Sequence, residues 1–310
     1  MKIKHVAICG MGALGMLYGK HIAEHNGVDN MHYVMDRERL EDYGKRTFSV
    51  NDVPCHFPMR DGMEDVPADL VIVAVKYTGL FDALDVIGKC VGPETIIMSV
   101  LNGVTSEGII GERFGKEHMI YTVAQGSDAV KSGGGLTYTN MGELRIGAKE
   151  PCQEANLKAV CDYFDRIGFP YGVEQDIMYR IWSKFMFNVG VNQVCMVYET
   201  NYGECADPDS EAHRMMVAAM REAMAVAHCE GVPIREENLN EYVRMLDTLA
   251  PDAVPSMRQD GLARRRSEVE IFAGTVRALA KKHHILVPVN EFLYKRVMEI
   301  EASYNDAFCR

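Results

Sequence analysis

Apolar positions in the first half of the chain come in short unbroken runs rather than in alternation. His5-Val6-Ala7-Ile8-Cys9, Leu70-Val71-Ile72-Val73-Ala74-Val75 and Thr95-Ile96-Ile97-Met98-Ser99-Val100 are such runs, and Met31 to Met35 makes another. A strand exposed on one face alternates apolar and polar residues, whereas one covered on both faces has no need to. With helical patterns between them, these runs predict a parallel sheet covered on both sides. After Gly126 the texture changes to glycine turns and short strands, including Gly133-Gly134-Gly135 and Glu143-Leu144-Arg145-Ile146, which reads as an antiparallel extension of that sheet. From about Asp176 helical periodicity takes over almost to the end. Breaks fall at Asp207-Pro208, Gly231-Val232-Pro233 and Val287-Pro288. The methionines of Arg214-Met215-Met216-Val217-Ala218-Ala219-Met220 read as core packing.

Composition narrows the function classes. With 310 residues the chain is long enough for two domains, and 47% hydrophobic with 25% charged residues is an ordinary globular balance. The net charge of -11 argues against a nucleic-acid surface, which needs basic excess, but leaves room for an anionic small substrate in a locally basic pocket. Nine cysteines, with no C-x-x-C spacing, suggest reduced thiols rather than a disulfide framework or a zinc site. Neither a leader pattern nor an apolar run of membrane-spanning length is read, so the expectation is a cytoplasmic protein.

The most informative motif is Gly10-Met11-Gly12-Ala13-Leu14-Gly15, a G-x-G-x-x-G directly after a strand and opening a helix. The first glycine permits a tight turn, the second lets a pyrophosphate approach the backbone, and the third packs helix on strand. Asp36 closes the second strand, where an acid can accept hydrogen bonds from an adenosine ribose. The alternative for Asp36 is a strand-end or helix-capping residue that never touches a ribose. The expected fold is therefore α/β: a Rossmann-type doubly wound dinucleotide-binding domain over residues 1–175, then an all-helical substrate and dimerisation domain over 176–310.

Further segments carry a resemblance. Ala74-Val75-Lys76, Leu101-Asn102-Gly103, Trp182-Ser183-Lys184 with Asn188 and Asn192, Ser256-Met257-Arg258-Gln259-Asp260, Arg266-Ser267-Glu268 and Pro288-Val289-Asn290-Glu291 follow in an order and spacing that resembles the ketopantoate reductase family over nearly the whole chain. That family reduces 2-dehydropantoate to pantoate with a nicotinamide cofactor. The resemblance implies that Lys184 is the catalytic acid. It implies that Asn188, Asn192, Ser256 and Glu268 hold the substrate, and that Lys76 and Asn102 border the nicotinamide. It also implies NADPH, whereas Asp36, standing where many members carry an arginine, points to NADH; Arg37 and Arg39 are placed to offset that charge. Ala273-Gly274 replaces an asparagine-glycine pair common in the family.

The residues support these roles on their own terms. Hydride addition to a ketone leaves negative charge on oxygen, which a positioned ammonium can stabilise and protonate. Lys184, Asn188 and Asn192 recur at i, i+4 and i+8, one stripe of a helix whose other residues, Trp182, Phe185, Met186 and Val189, are apolar. On one straight helix Ser256 and Glu268 would lie about 18 Å apart, too far to share a small substrate. Gly261 offers a break, and Ser267-Glu268-Val269-Glu270 fits a capping box that would start a new helix. Arg264-Arg265-Arg266 reads as a solvated or paired cluster, and His283-His284 as a helix end without metal spacing.

Two other functions stay open at this point. One is a related NAD(P)-dependent 2-hydroxyacid dehydrogenase acting on another branched or aromatic 2-oxo acid. The other is a catalytically silent dinucleotide sensor, which would need only the first domain's motif. No nucleic-acid or membrane partner is expected, while the helical domain can supply a homodimer face.

Overall fold

The computed structural model describes residues 2–306, and the chain divides into two compact units, Met1–Ile177 and Met178–Arg310. The first unit is built on β1 (Val6–Cys9), β2 (Met31–Met35), β3 (Phe48–Val50), β4 (Val53–Cys55), β5 (Met59–Asp61), β6 (Leu70–Val73), β7 (Ile96–Ser99), β8 (Met119–Gln125), β9 (Val130–Ser132), β10 (Gly135–Thr137), β11 (Glu143–Gly147) and β12 (Tyr171–Val173). Eight of these form one sheet in the order β12-β11-β8-β7-β6-β1-β2-β5. Every residue of β1, β2, β6 and β7 is buried, the physical counterpart of their unbroken apolar runs. Helices α1 (Ala13–Asn26), α2 (Arg37–Tyr43), α3 (Leu80–Ile87), α4 (Ser106–Phe114) and α5 (Glu154–Ile167) connect or follow these strands.

The strand order fixes where a ligand can lie. From β1 the chain runs outward through β2 to β5, then returns to the other side of β1 at β6 and continues through β7 to β8. The order therefore reverses between β1 and β6, the crevice position for ligands in open parallel sheets. Cys9 pairs with Val73 and Val73 with Ser99, so the loops after β1, β6 and β7 leave the sheet at one level.

The expected antiparallel extension is corrected in part. β11 extends the main sheet antiparallel to β8, but β9 and β10 leave it for a separate four-stranded sheet, β4-β3-β10-β9. Glycine explains that choice: a Cβ at Gly134 would lie 2.2 Å from the Thr47 carbonyl oxygen, so the bare backbone lets the segment close on β3.

The second unit consists of α6 (Ile177–Val197, which starts at the boundary), α7 (Tyr202–Ala206), α8 (Glu211–Cys229), α9 (Glu236–Met245), α10 (Ser256–Leu262), a π-helical turn (Glu270–Gly274), α11 (Thr275–His283) and α12 (Pro288–Asp306). α6 packs closely on α8. A Cβ at Gly190 would lie 2.6 Å from Met220 Cγ, and Met216 and Met220 are fully buried beneath it, so the methionine stripe is core. Trp182 stacks edge-on against Phe185, and Phe187 lies parallel to Tyr242. Among the described residues no helix is long and apolar enough to cross a membrane.

Candidate active site

In the first unit the glycine motif takes the shape its sequence implies. Gly10 follows β1 at φ +106, and a Cβ there would meet the Ala74 carbonyl oxygen at 2.5 Å, so the turns after β1 and β6 press together. A Cβ at Gly15 would lie 2.0 Å from the Gly10 carbonyl oxygen, which holds the first turn of α1 against the strand end. Gly12, exposed at the N-cap of α1, has open space: its nearest neighbour would be Ala74 O at 3.7 Å. The first turn of α1 carries no acid and no side-chain cap, so its N–H groups, including those of Ala13 and Leu14, point to an uncommitted anion seat. Met11 is buried and offers only its backbone. The residues present fit a dinucleotide pyrophosphate.

The flanking residues come off the same sheet edge. Lys76 is exposed just past β6, and its carbonyl accepts the Gly79 N–H. Asn102 is half-buried in the loop after β7, next to Gly103 at φ +96. Asp36 caps α2, accepting the Arg39 N–H at 2.8 Å, with Arg39 Nε 3.5 Å from its second oxygen. Arg37 turns back to Glu41 at 3.6 Å. Both arginines beside Asp36 are thus held by local acids.

In the second unit the helical spacing gathers the predicted polar residues. Asn192 is buried on α6, and its side-chain carbonyl accepts from Ser256 Oγ and from the Met257 N–H, each at 3.1 Å. Its amide donates to Asn188 Oδ1 at 3.4 Å. Asn192 therefore ties the first turn of α10 to α6, and Asn188, Asn192 and Ser256 form one polar knot in which the two asparagines are buried and Ser256 is exposed. One helical turn before Asn188, Lys184 is half-buried, and burial pushes its ammonium down to about 8. The Glu268 carboxylate acts against that shift and the Arg180 guanidinium adds to it. Glu268 and Lys184 are thus electrostatic neighbours although 84 residues apart in sequence (268 minus 184).

The chain break expected between Ser256 and Glu268 is present, but by different means. α10 runs through Gly261 to Leu262, and Arg264 takes the left-handed conformation at φ +50 while its N–H donates to Gly261 O. The capping box does not form. Ser267 gives its N–H and hydroxyl to Glu301 Oε1 of α12, at 2.8 and 2.6 Å, and Glu270 accepts from the Tyr294 hydroxyl. A π turn begins two residues after Glu268, and its N–H donors at Ile271 and Phe272 both bond to the Glu268 carbonyl. The arginine cluster is exposed, with Arg265 paired to Asp260 at 3.0 Å, and α11 ends at His283 with His284 left-handed at φ +58.

Sequence reasoning missed two contributors. Arg180 extends the stripe of Lys184, Asn188 and Asn192 by one more turn, a signal that i, i+4 spacing could have given. Gln193, fully buried, donates to Asn290 Oδ1 at 3.2 Å, and Glu222 takes the Val289 and Asn290 N–H groups at 2.8 Å each. The Pro288-Val289-Asn290-Glu291 segment thus anchors α12 to α6 and α8.

The polar knot should be worth measurable stability. Asn192→Ala leaves the Ser256 hydroxyl and the buried Met257 N–H without their acceptor, so stability should fall by roughly 1–3 kcal/mol, read by denaturant unfolding. Unchanged stability would mean that α10 is held without it.

Comparison with known proteins accords with this arrangement. Residues 6–151 match the model for Ketopantoate reductase PanE/ApbA and residues 176–301 that for its C-terminal part. A 2-dehydropantoate 2-reductase of Streptococcus pyogenes serotype M3 is 24% identical over 306 residues, 97% of this chain and 99% of the relative. That of Aquifex aeolicus is 28% identical over 243 residues, covering 76% and 78%. Among solved structures, D-mandelate dehydrogenase with NADH and anilino(oxo)acetate superposes with a TM-score of 0.85 at 23% identity, covering 97% and 99% of the two chains. A PanE/ApbA family ketopantoate reductase of Ralstonia eutropha JMP134 gives 0.81 at 22% identity over the same shares. With both models matched in order across the two units, this chain belongs to the ketopantoate reductase family and is an NAD(P)-dependent oxidoreductase.

Proposed function

We propose that this enzyme reduces 2-dehydropantoate to pantoate, with Lys184 as the general acid. The observation that carries the reading is the Lys184 ammonium, brought down to about 8 by burial yet opposed by Glu268, on the helix stripe that also holds Asn188 and Asn192. A bound reduced nicotinamide supplies the hydride. As the carbonyl carbon gains it, the C2 oxygen becomes an alkoxide, which the ammonium stabilises and then protonates, leaving a neutral amine. An acid with a pKa near the working pH is suited to giving up that proton and regaining it from solvent. Asn188 and Ser256 supply polar groups for the carboxylate and carbonyl. The Glu268 carboxylate is an acceptor, matched to the substrate's own hydroxyl at the far end.

A second reading is supported by a specific likeness. The fold overlays closely on D-mandelate dehydrogenase, solved with NADH and the aromatic oxo acid anilino(oxo)acetate. An aromatic 2-oxo acid offers the same carbonyl and carboxylate but no hydroxyl for Glu268. Initial rates across branched, hydroxylated and aromatic 2-oxo acids separate the two. 2-Dehydropantoate should give the highest kcat/KM; a higher value for an aromatic acid would favour the second reading, and no turnover with any would refute both. In the same assay Lys184→Ala should lower kcat at least about 100-fold with cofactor affinity nearly unchanged. Near-normal kcat would remove Lys184 from the chemistry.

For the cofactor the proposal is NADH. Asp36 keeps a half-exposed carboxylate at the end of β2, where a 2′-phosphate would meet like charge, and the arginines beside it are engaged by Asp36 and Glu41. Wild-type kcat/KM should favour NADH, and Asp36→Ser should narrow the preference. A wild-type preference for NADPH would overturn the proposal, and an unchanged ratio in the variant would leave Asp36 a helix cap alone.

A further inference from the structure

The loop that carries Asn102, residues 100–105, is anchored at both ends by one buried hydrogen-bonded chain that the reaction scheme does not use. At its start, Ser99 closes β7; at its end, Ser106 and Glu107 open α4, and all three are almost wholly buried. Ser99 Oγ donates to Ser106 Oγ at 2.8 Å, and Ser106 Oγ donates to Glu107 Oε2 at 2.9 Å. The backbone N–H of Thr122, on β8 beyond the last residue that β7 pairs with, also donates to the Glu107 carboxylate. The carboxylate thus stands in for the missing continuation of β7 while closing the base of the loop. Thr105, the N-cap of α4, makes no side-chain cap, so this chain of hydrogen bonds fixes the helix start in its place.

We propose that Glu107 is a positioning residue, whose buried carboxylate, acting through Ser106 and Ser99, holds the 100–105 loop in the conformation that receives the nicotinamide end of the cofactor. This rests on the reading that Asn102 borders the nicotinamide. An ionised carboxylate suits the chain because its own backbone N–H, the Ser106 hydroxyl and the Thr122 N–H all donate to it. Protonation would add a fourth hydrogen among three donors and force Ser106 to turn. Burial and the hydrogen bonds oppose one another here: desolvation raises the carboxyl, the donors lower it, and the balance leaves it at about 7. The titratable side chain that senses it is Tyr121 of β8, pushed up to about 12 by burial and then by Glu107 and Glu150. Arg113 of α4 pairs with Asp85 at 3.4 Å, and His118 meets the Thr95 carbonyl at 2.6 Å.

The donors set the direction of the pH dependence. Above pH 7 the carboxylate is charged and the loop is held; as pH falls through 7 it is protonated and the hold loosens. The test is equilibrium binding of NADH and NADPH, by cofactor fluorescence, at pH 6 and pH 8, in the wild type, Glu107→Gln and Ser106→Ala. Wild-type Kd for the better cofactor should be weaker at pH 6. Glu107→Gln, which sets an amide donor against the Ser106 or Thr122 donor, should weaken binding about tenfold at pH 8 and abolish the pH difference. Ser106→Ala, which cuts the chain but keeps the carboxylate, should weaken it in the same direction, and it provides the test if Glu107→Gln fails to fold. Wild-type affinity at pH 8 in the folded variants, or a pH difference that survives in Glu107→Gln, would overturn the proposal. A wild type that binds neither cofactor would instead contradict the dinucleotide reading itself.

Discussion

An ammonium group brought into an apolar helical unit loses hydration that no nearby apolar side chain can replace. Lys184 lies between Trp182 and Phe185 on α6, both buried, and its lowered proton affinity measures that loss. Glu268 opposes the loss, so the position of Glu268 is a requirement of the lysine. The chain reaches that position through unusual local structure: α10 stops at Leu262, Arg264 turns left-handed, and the chain re-enters helix through a π turn that starts two residues after Glu268. The knot of Asn192 with Ser256 and Met257 fixes the other end of the same segment. The proposed acid and the polar groups beside it thus come from one arrangement.

The first unit solves a different problem by removing side chains. At the reversal point of the sheet the turns after β1 and β6 touch through backbone, which Gly10 and Gly15 permit. Gly12 leaves the start of α1 open. Anion binding there needs no charged residue, in keeping with a chain whose net charge is -11.

Much of this was legible in the sequence where the governing interactions are local or periodic. The buried runs marked β1, β2, β6 and β7 because strands covered on both faces have no polar face to show. The stripe of Lys184, Asn188 and Asn192 was visible because helical spacing is short-range, and once the resemblance gave Ser256 and Glu268 a shared substrate, helix rise required a break between them. The features that stayed hidden depend on partners distant in sequence. Gly261 was the natural breaker, yet Tyr304 and Met196 sit against it and the turn falls on Arg264. Ser267 fits a capping pattern, but Glu301, 34 residues on, takes its donors. Gly133-Gly134-Gly135 looked like an edge of the main sheet, and Phe48–Val50 drew it into another. Asp36 was read both ways from sequence, and the cap to Arg39 is the one that local geometry forms.

The central claim is that Lys184 is an acid tuned by burial against Glu268, and direct titration of its side chain tests it. With lysine side chains isotopically labelled, the NMR resonance of Lys184, assigned by its loss in Lys184→Arg, should titrate near 8 in the wild type. In Glu268→Gln it should titrate lower still, because the opposing charge is gone. A wild-type value at the ordinary 10.5, or one indifferent to Glu268, would contradict the account.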